Sequence, residues 1–183
     1  TEPSGSVSKL EVETHGVTGF KAVLRCAGLV GRRQVEIVGK GRAGASVLAN
    51  FPIWCGQQPP TSPEFALTND DEPPVSSAGD AEQRVFQHLN EARARARLPL
   101  IKWDGRLASI GRAHSQEMFE KGFVAHVSPT TGSAADRVKN AGIVVPVVLE
   151  NIARAYSPSE AHAGLMNSPG HRANILSAEA THV

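Results

Sequence analysis

Residues 88–129 read HLNEARARARLPLIKWDGRLASIGRAHSQEMFEKGFVAHVSP. This stretch predicts two helices and the turn that follows them. Apolar side chains recur at helical spacing on one face of the first helix, at Val85, Leu89, Ala92 and Ala96. That helix is expected to start at Asp80 and to end near Pro99, because proline forces the residue before it out of the α conformation. Asp104 is a natural N-cap for the second helix, which Gly122 ends.

Further helical and extended segments follow this pair. Ser133, with Asp136 three residues later, predicts a short capped helix. The run IVVPVVLENIA, residues 143–153, predicts an extended approach and then a buried strand beyond its proline. Residues 157–160, SPSE, place Ser, Pro and Glu where they favour the start of another helix. A last helical turn is expected over 172–176.

The part of the chain before these helices differs from them in composition. Residues 1–60 are predicted to form a small β-rich domain, because short apolar runs alternate there with Gly-containing turns. These runs are KLEVETHG, GFKAVLRC, RQVEIVGKG and ASVLANFPIW. Residues 61–79 predict a Pro-rich, acidic linker, since proline and like charges favour an extended chain. Residues 80–183 then form a second domain.

Composition excludes several classes of function. The 183 residues carry a net charge of only +1, so no general attraction to nucleic acid is expected. No window is apolar enough for a transmembrane segment. The start TEPSGSVSKL has no apolar signal core, so a signal peptide is expected to have been removed. The sequence contains no phosphate-binding glycine loop and no H-E-x-x-H zinc motif.

The two cysteines each end an apolar run of the β-rich part. Cys26 closes KAVLRC and Cys55 closes NFPIWC. A disulfide between them is favoured over two buried thiols, because small β-rich domains often need a covalent cross-link to supplement a thin core. Such a bond indicates an oxidising compartment.

Three side chains are candidates for chemistry: His126 in AHVSP, Glu150 in LENIA and His171 in LMNSPGHRANIL. Each lies in a short segment rich in turn and cap residues. Glu150 follows an apolar run, so its carboxylate either points outward or pairs with a histidine, a metal or backbone donors. His126 and His171 could instead be surface residues. Together the three predict one pocket for a metal ion or a polar ligand.

Two other polar residues are assigned structural roles. His114 shares the apolar face of the second helix, which predicts a hydrogen-bonded core histidine. Ser168 lies outside any G-x-S-x-G motif, so it is interpreted as a hydrogen-bonding residue at a helix end and not as a nucleophile.

These segments, in this order and spacing, resemble the bacterial branch of the CAP superfamily (cysteine-rich secretory, antigen 5 and pathogenesis-related proteins, or SCP-like domains) over about residues 80–183. The resemblance implies an α+β fold with an α-β-α sandwich, in a secreted, periplasmic or cell-surface protein. It also implies a cleft in which His126, Glu150 and His171 lie. In family members the two histidines can hold a divalent cation such as zinc, so His126, His171 and Glu150 are the expected metal ligands, with Asn151 and Ser168 as supporting residues.

The sequence departs from the family pattern at several points. Leu149 replaces the usual glycine before the Glu-Asn pair, and Leu165 replaces an aromatic residue. Ser168 aligns with the second cleft glutamate of eukaryotic members, so one carboxylate is expected in the cleft. The family normally continues past Val183 into strands that complete the sheet. Two explanations are open: the protein was cut at this point, or the β-rich part or a second chain fills that place by strand addition.

Three functions are compatible with this pattern. The first is a binding module whose cleft takes a divalent metal and an unknown small-molecule, lipid or cell-wall ligand. The second is a metal-assisted hydrolase with zinc on the two histidines and Glu150 as catalytic base. The third is an adhesive or structural module. Binding is favoured over catalysis, because if Glu150 is the third metal ligand no base remains.

Overall fold

The structure, a computed structural model, describes residues 8–16, 19–42, 44–61 and 72–183. Within these ranges it contains four strands followed by five α-helices. The strands are β1 (Val12–His15), β2 (Gly19–Ala22), β3 (Gly31–Gly41) and β4 (Gly44–Cys55). The helices are α1 (Ala78–Arg95), α2 (Gly105–Lys121), α3 (Ala134–Asn140), α4 (Pro158–Asn167) and α5 (Pro169–Ile175).

The strands form two antiparallel hairpins that coincide with the four apolar runs of the sequence. β1 pairs with β2, and β3 pairs with β4. The longer hairpin has an irregular register between Ile37 and Val38. A disulfide joins Cys26 to Cys55 at the base of this hairpin, with their Cα atoms 5.6 Å apart. Most of the predicted linker, residues 62–71, lies outside the described residues.

Side-chain caps set the helix boundaries. α2 is capped by Asp104 and ends at Gly122, whose φ of 68° is the left-handed conformation that glycine adopts without strain. α3 has the expected capping box of Ser133 and Asp136. The prediction for α1 was wrong by one turn: Ser77 is the N-cap.

Two elements near the end of the chain differ from the predictions. The strand expected after Pro146 pairs with no other strand among the described residues. Its backbone is bonded to a side chain instead, because the Glu150 carbonyl accepts from the Asn174 amide at 3.2 Å. The expected helical turn is a full helix, α5. A short parallel bridge joins Lys102 to His182.

The helices α1, α4 and α5 pack around a small apolar core. Its buried members are Ala92, Leu165 and Ile175, and Leu89, Met166 and Leu176 pack against them. Arg93, beside this core, is fully buried. Its guanidinium donates to the carbonyls of Pro99, Ile175, Ser177 and Ala180, at 2.7–3.2 Å. Arg93 therefore ties α1 to the segment that follows α5.

Replacing Arg93 with methionine is expected to lower the free energy of unfolding by at least about 3 kcal/mol. The change keeps helix propensity but leaves several buried carbonyls without donors, each costing about 1–3 kcal/mol. Urea denaturation measures the loss. Arg95→Met, at an exposed position two residues along α1, is the control and should change stability by about 0.5 kcal/mol or less. Equal losses in the two variants would contradict this role of Arg93.

Candidate functional site

The loop that carries His126 is held from its N-terminal side by α2. His114 is 4% exposed, and its Nε2 donates to the Ala125 carbonyl at 2.8 Å. Its ring also lies near that of Phe123. The predicted core histidine is therefore in the core and fixes the residue immediately before His126.

The same loop is held from its C-terminal side by Glu117, one helical turn after His114. Ser128 is buried and donates its hydroxyl to the Glu117 carboxylate at 2.9 Å. Thr130 donates to the same oxygen, and Lys121 forms an ion pair with it at 2.8 Å. Lys121, Thr130 and Ser128 together lower the pKa of Glu117 to about 2. His114 and Glu117, both on α2, thus hold the residues on either side of His126.

The hydrogen bonds from Ser128 and Thr130 to the Glu117 carboxylate are expected to break only in strong acid. Because the folded-state pKa is depressed from 4.5 to about 2, the stabilisation is present above about pH 4.5 and is lost as pH falls through about 2. The amide signals of Ser128 and Thr130, followed by NMR, should shift with a midpoint near pH 2. A midpoint near 4.5 would show that Glu117 does not hold the loop in solution.

The carboxylate of Glu150 joins His126 to Arg137. One oxygen accepts from His126 Nδ1 at 2.7 Å, and the other accepts from the Arg137 guanidinium. The Arg137 side chain is 7% exposed and that of Glu150 is 21% exposed. Arg137 also donates to the Gly132 carbonyl at 2.7 Å and to the His126 carbonyl at 3.4 Å. The buried guanidinium thus holds both Glu150 and the loop of His126.

The contact with Glu150 determines which ring nitrogen of neutral His126 carries the proton. A carboxylate only accepts hydrogen bonds, so the proton of the neutral imidazole lies on Nδ1 and the lone pair on Nε2. The pairing is the one by which a carboxylate orients a metal-binding histidine. Both oxygens of Glu150 already accept a hydrogen bond, so Glu150 is an orienting partner of His126 in this structure.

His171 lies on α5, where the two predicted supporting residues hold it. Ser168 is the N-cap of α5, and its hydroxyl accepts from the His171 backbone N–H at 3.5 Å. The Asn151 side chain donates to the His171 carbonyl at 3.0 Å and accepts from Asn174 at 2.9 Å. Asn151 therefore links the segment of Glu150 to the helix of His171.

The His171 imidazole is partly buried. Burial lowers its pKa, the negative charge of Glu36 opposes that shift, and the charge of His126 adds to it. A lowered pKa keeps the ring neutral at pH 7, with a lone pair available to a ligand.

Several residues of this site were not identified from the sequence. Arg137 was not considered because a single arginine in a short helix carries no signal of its own. Glu117 carries a weak signal, since it lies three residues after His114 on α2, just before the predicted site. His114 itself was predicted as a core histidine, without a role in the site. Glu36 lies in β3, far from the site in sequence, and no local pattern could have indicated it.

The described residues do not form a complete metal site. Among them, no group of three or more His, Cys, Asp or Glu side chains is placed to hold a metal ion. The three-ligand zinc site of His126, His171 and Glu150 therefore does not fit this geometry. The structure shows one imidazole, that of His126, oriented by the carboxylate of Glu150, and a second, His171, on a helix that Ser168 and Asn151 hold.

Replacing Glu150 with glutamine is expected to lower stability by about 2–4 kcal/mol, because the buried Arg137 guanidinium loses its counter-charge. Urea denaturation measures this loss. The double variant Arg137→Met/Glu150→Gln is the internal control. It should be more stable than the sum of the two single changes predicts, since no unpaired charge remains. Strict additivity would contradict the coupling of these two residues.

Comparison with known proteins identifies relatives for the helical part of the chain. A protein of Bacillus subtilis (strain 168), the uncharacterized protein YkwD, is 38% identical over 59% of this chain and 42% of its own length. The uncharacterized membrane protein YlbC of the same organism is 32% identical over 56% of this chain and 30% of its own length. The chain thus spans less than half the length of these relatives.

A solved structure is also similar. It is the crystal structure of an extracellular protein containing a SCP domain from Bacillus anthracis str. Ames, which is 29% identical and has a TM-score of 0.54. The likeness covers 61% of this chain and 40% of that one. In the part of the present chain that the structure describes, no helix is long and apolar enough to cross a membrane.

The family model of the cysteine-rich secretory proteins, CAP, matches residues 86–183, which is more than half of the chain's 183 residues. These residues include α2, α3, α4 and α5 and all of His126, Glu150 and His171. The chain therefore belongs to the cysteine-rich secretory protein (CAP) family.

Proposed function

We propose that this chain is a secreted or cell-surface CAP module whose cleft binds a divalent cation through His126 and His171. The contact between Glu150 and His126 is the main support. It sets the imidazole tautomer and leaves Nε2 as the free donor atom, as in carboxylate-oriented histidine ligands. His171 supplies the second imidazole, and Asn151 holds its helix against the segment of Glu150.

In this proposal Glu150 is not a ligand and not a catalytic base. Its oxygens are bonded to His126 and to Arg137. Catalytic zinc sites usually have three protein ligands together with a water molecule. Two imidazoles without a free carboxylate favour a weaker, partly hydrated cation. Binding is therefore favoured over metal-assisted hydrolysis.

The proposed location and ligand class follow from other features. A disulfide such as Cys26–Cys55 persists in an oxidising compartment, and the similar Bacillus anthracis protein is described as extracellular. The site is lined by histidine, glutamate, asparagine and serine, which favours a polar ligand such as a cell-wall component over a lipid.

The binding proposal is tested by isothermal titration of the metal-free chain with zinc and with cobalt. We expect one cation per chain, and we expect His126→Ala/His171→Ala to abolish binding while the circular dichroism spectrum is unchanged. Glu150→Gln, measured at a temperature at which it is folded, should weaken affinity by about tenfold or more, since it loses the carboxylate that orients His126.

His182→Ala is the matched control, because His182 is exposed and lies outside the cleft. It should bind as the unmodified chain does. No binding with a Kd below about 1 mM, which is about −4 kcal/mol, would overturn the proposal. Unchanged binding in the double histidine variant would also overturn it, since the cation would then lie elsewhere.

A further inference from the structure

The β3–β4 hairpin contacts the junction between α4 and α5. The Glu36 carboxylate accepts from the Ser168 hydroxyl, and the backbone N–H of Gly170 lies 3.4 Å from its other oxygen. Asn50, the cross-strand partner of Glu36, donates to the Asn167 carbonyl at 3.1 Å. One cross-strand pair therefore makes a two-point contact with the residues just before His171. We call Glu36 and Asn50 the latch.

The turn end of the same hairpin reaches His126. A Cβ atom on Gly44 would lie 3.3 Å from the Cβ atom of His126 and 3.5 Å from Cγ2 of Val127. Gly44 has a φ of 99°, a conformation that favours glycine. The hairpin thus extends from the neighbours of His171 at its middle to His126 at its turn. The hairpin therefore contacts both the loop of His126 and the start of α5, the helix that carries His171.

The contacts of the latch with the helical part are hydrogen bonds. Four large apolar side chains of the hairpin are exposed, Val38, Val47, Leu48 and Phe51, while Val35, Ile37, Ile53 and Trp54 are half-buried. A few hydrogen bonds, each with a net value of about 0.5–1.5 kcal/mol, make a contact that can open. The Cys26–Cys55 disulfide closes the base of the hairpin, so its strands are expected to move together as one unit.

We propose that the β3–β4 hairpin is a strap that closes over the cleft, held by the Glu36 and Asn50 latch, and that its opening increases access to His126 and His171, which are only partly exposed while it is closed. The position of the strap rests on the contacts above. Its control of cation entry rests, in addition, on the proposed function.

Exposure of the two imidazoles is tested with diethyl pyrocarbonate, which modifies neutral histidine, and with mass spectrometry of the full chain. In the latch variant Glu36→Ala/Asn50→Ala, the modification rates of His126 and His171 should rise about fivefold, the change in an opening equilibrium that the loss of such hydrogen bonds gives. His182, which is exposed, should react at the same rate throughout and serves as the internal standard.

The matched control is Glu13→Ala/Ser46→Ala, which changes two exposed residues of β1 and β4 away from the latch. It should leave both rates at the wild-type value. Equal rates in the wild-type chain and the latch variant would overturn the strap. A fivefold rise in the control as well would also overturn it, because the effect would then be general loosening.

Zinc titration of the same variants separates this inference from the proposed function. Faster labelling of the latch variant with no zinc bound by any chain supports the strap and overturns the cation site. Zinc binding to the wild-type chain with unchanged labelling overturns the strap and leaves the cation site standing. Faster labelling together with faster zinc association supports both.

Discussion

The carboxylate of Glu150 is the constraint on which the site depends. It bonds the imidazole of His126 on one side and the buried guanidinium of Arg137 on the other. These residues come from three segments: the loop after α2, the helix α3 and the extended stretch before α4. A buried arginine without a counter-charge is costly, so the pairing holds the segments together while it orients the imidazole. The contacts of Glu150 thus both stabilise the fold and position the imidazole of His126.

The rest of the site is built by local anchors around that contact. His114 and Glu117 hold the loop of His126 from both sides, and Asn151 and Ser168 hold α5. Arg93 likewise holds the chain at the end of α5 and beyond it, because its guanidinium donates only to backbone carbonyls. These polar groups therefore hold the irregular segments around His126 and His171 in place.

Features set by neighbours in the sequence could be predicted, and features set by distant residues could not. Asp104, Gly122 and the capping box at Ser133 mark helix ends through contacts within a few residues, and the structure has those ends. The strand expected near Glu150 needed a partner strand, which no local pattern supplies. The pairing with Arg137 and the contact of Glu36 with Ser168 are likewise long-range. His126, Glu150 and His171 could be named as candidates from the sequence, while the contacts of Glu150 with His126 and Arg137 required the structure.

The tautomer of His126 tests the central claim most directly. In metal-free protein at neutral pH, correlation of the ring nitrogens with the ring protons by ¹⁵N NMR distinguishes a proton on Nδ1 from a proton on Nε2. The carboxylate contact predicts that Nδ1 is protonated and that Nε2 carries the lone pair. A neutral ring protonated on Nε2 would mean that Glu150 does not orient His126, and it would remove the basis for a ligand at that atom.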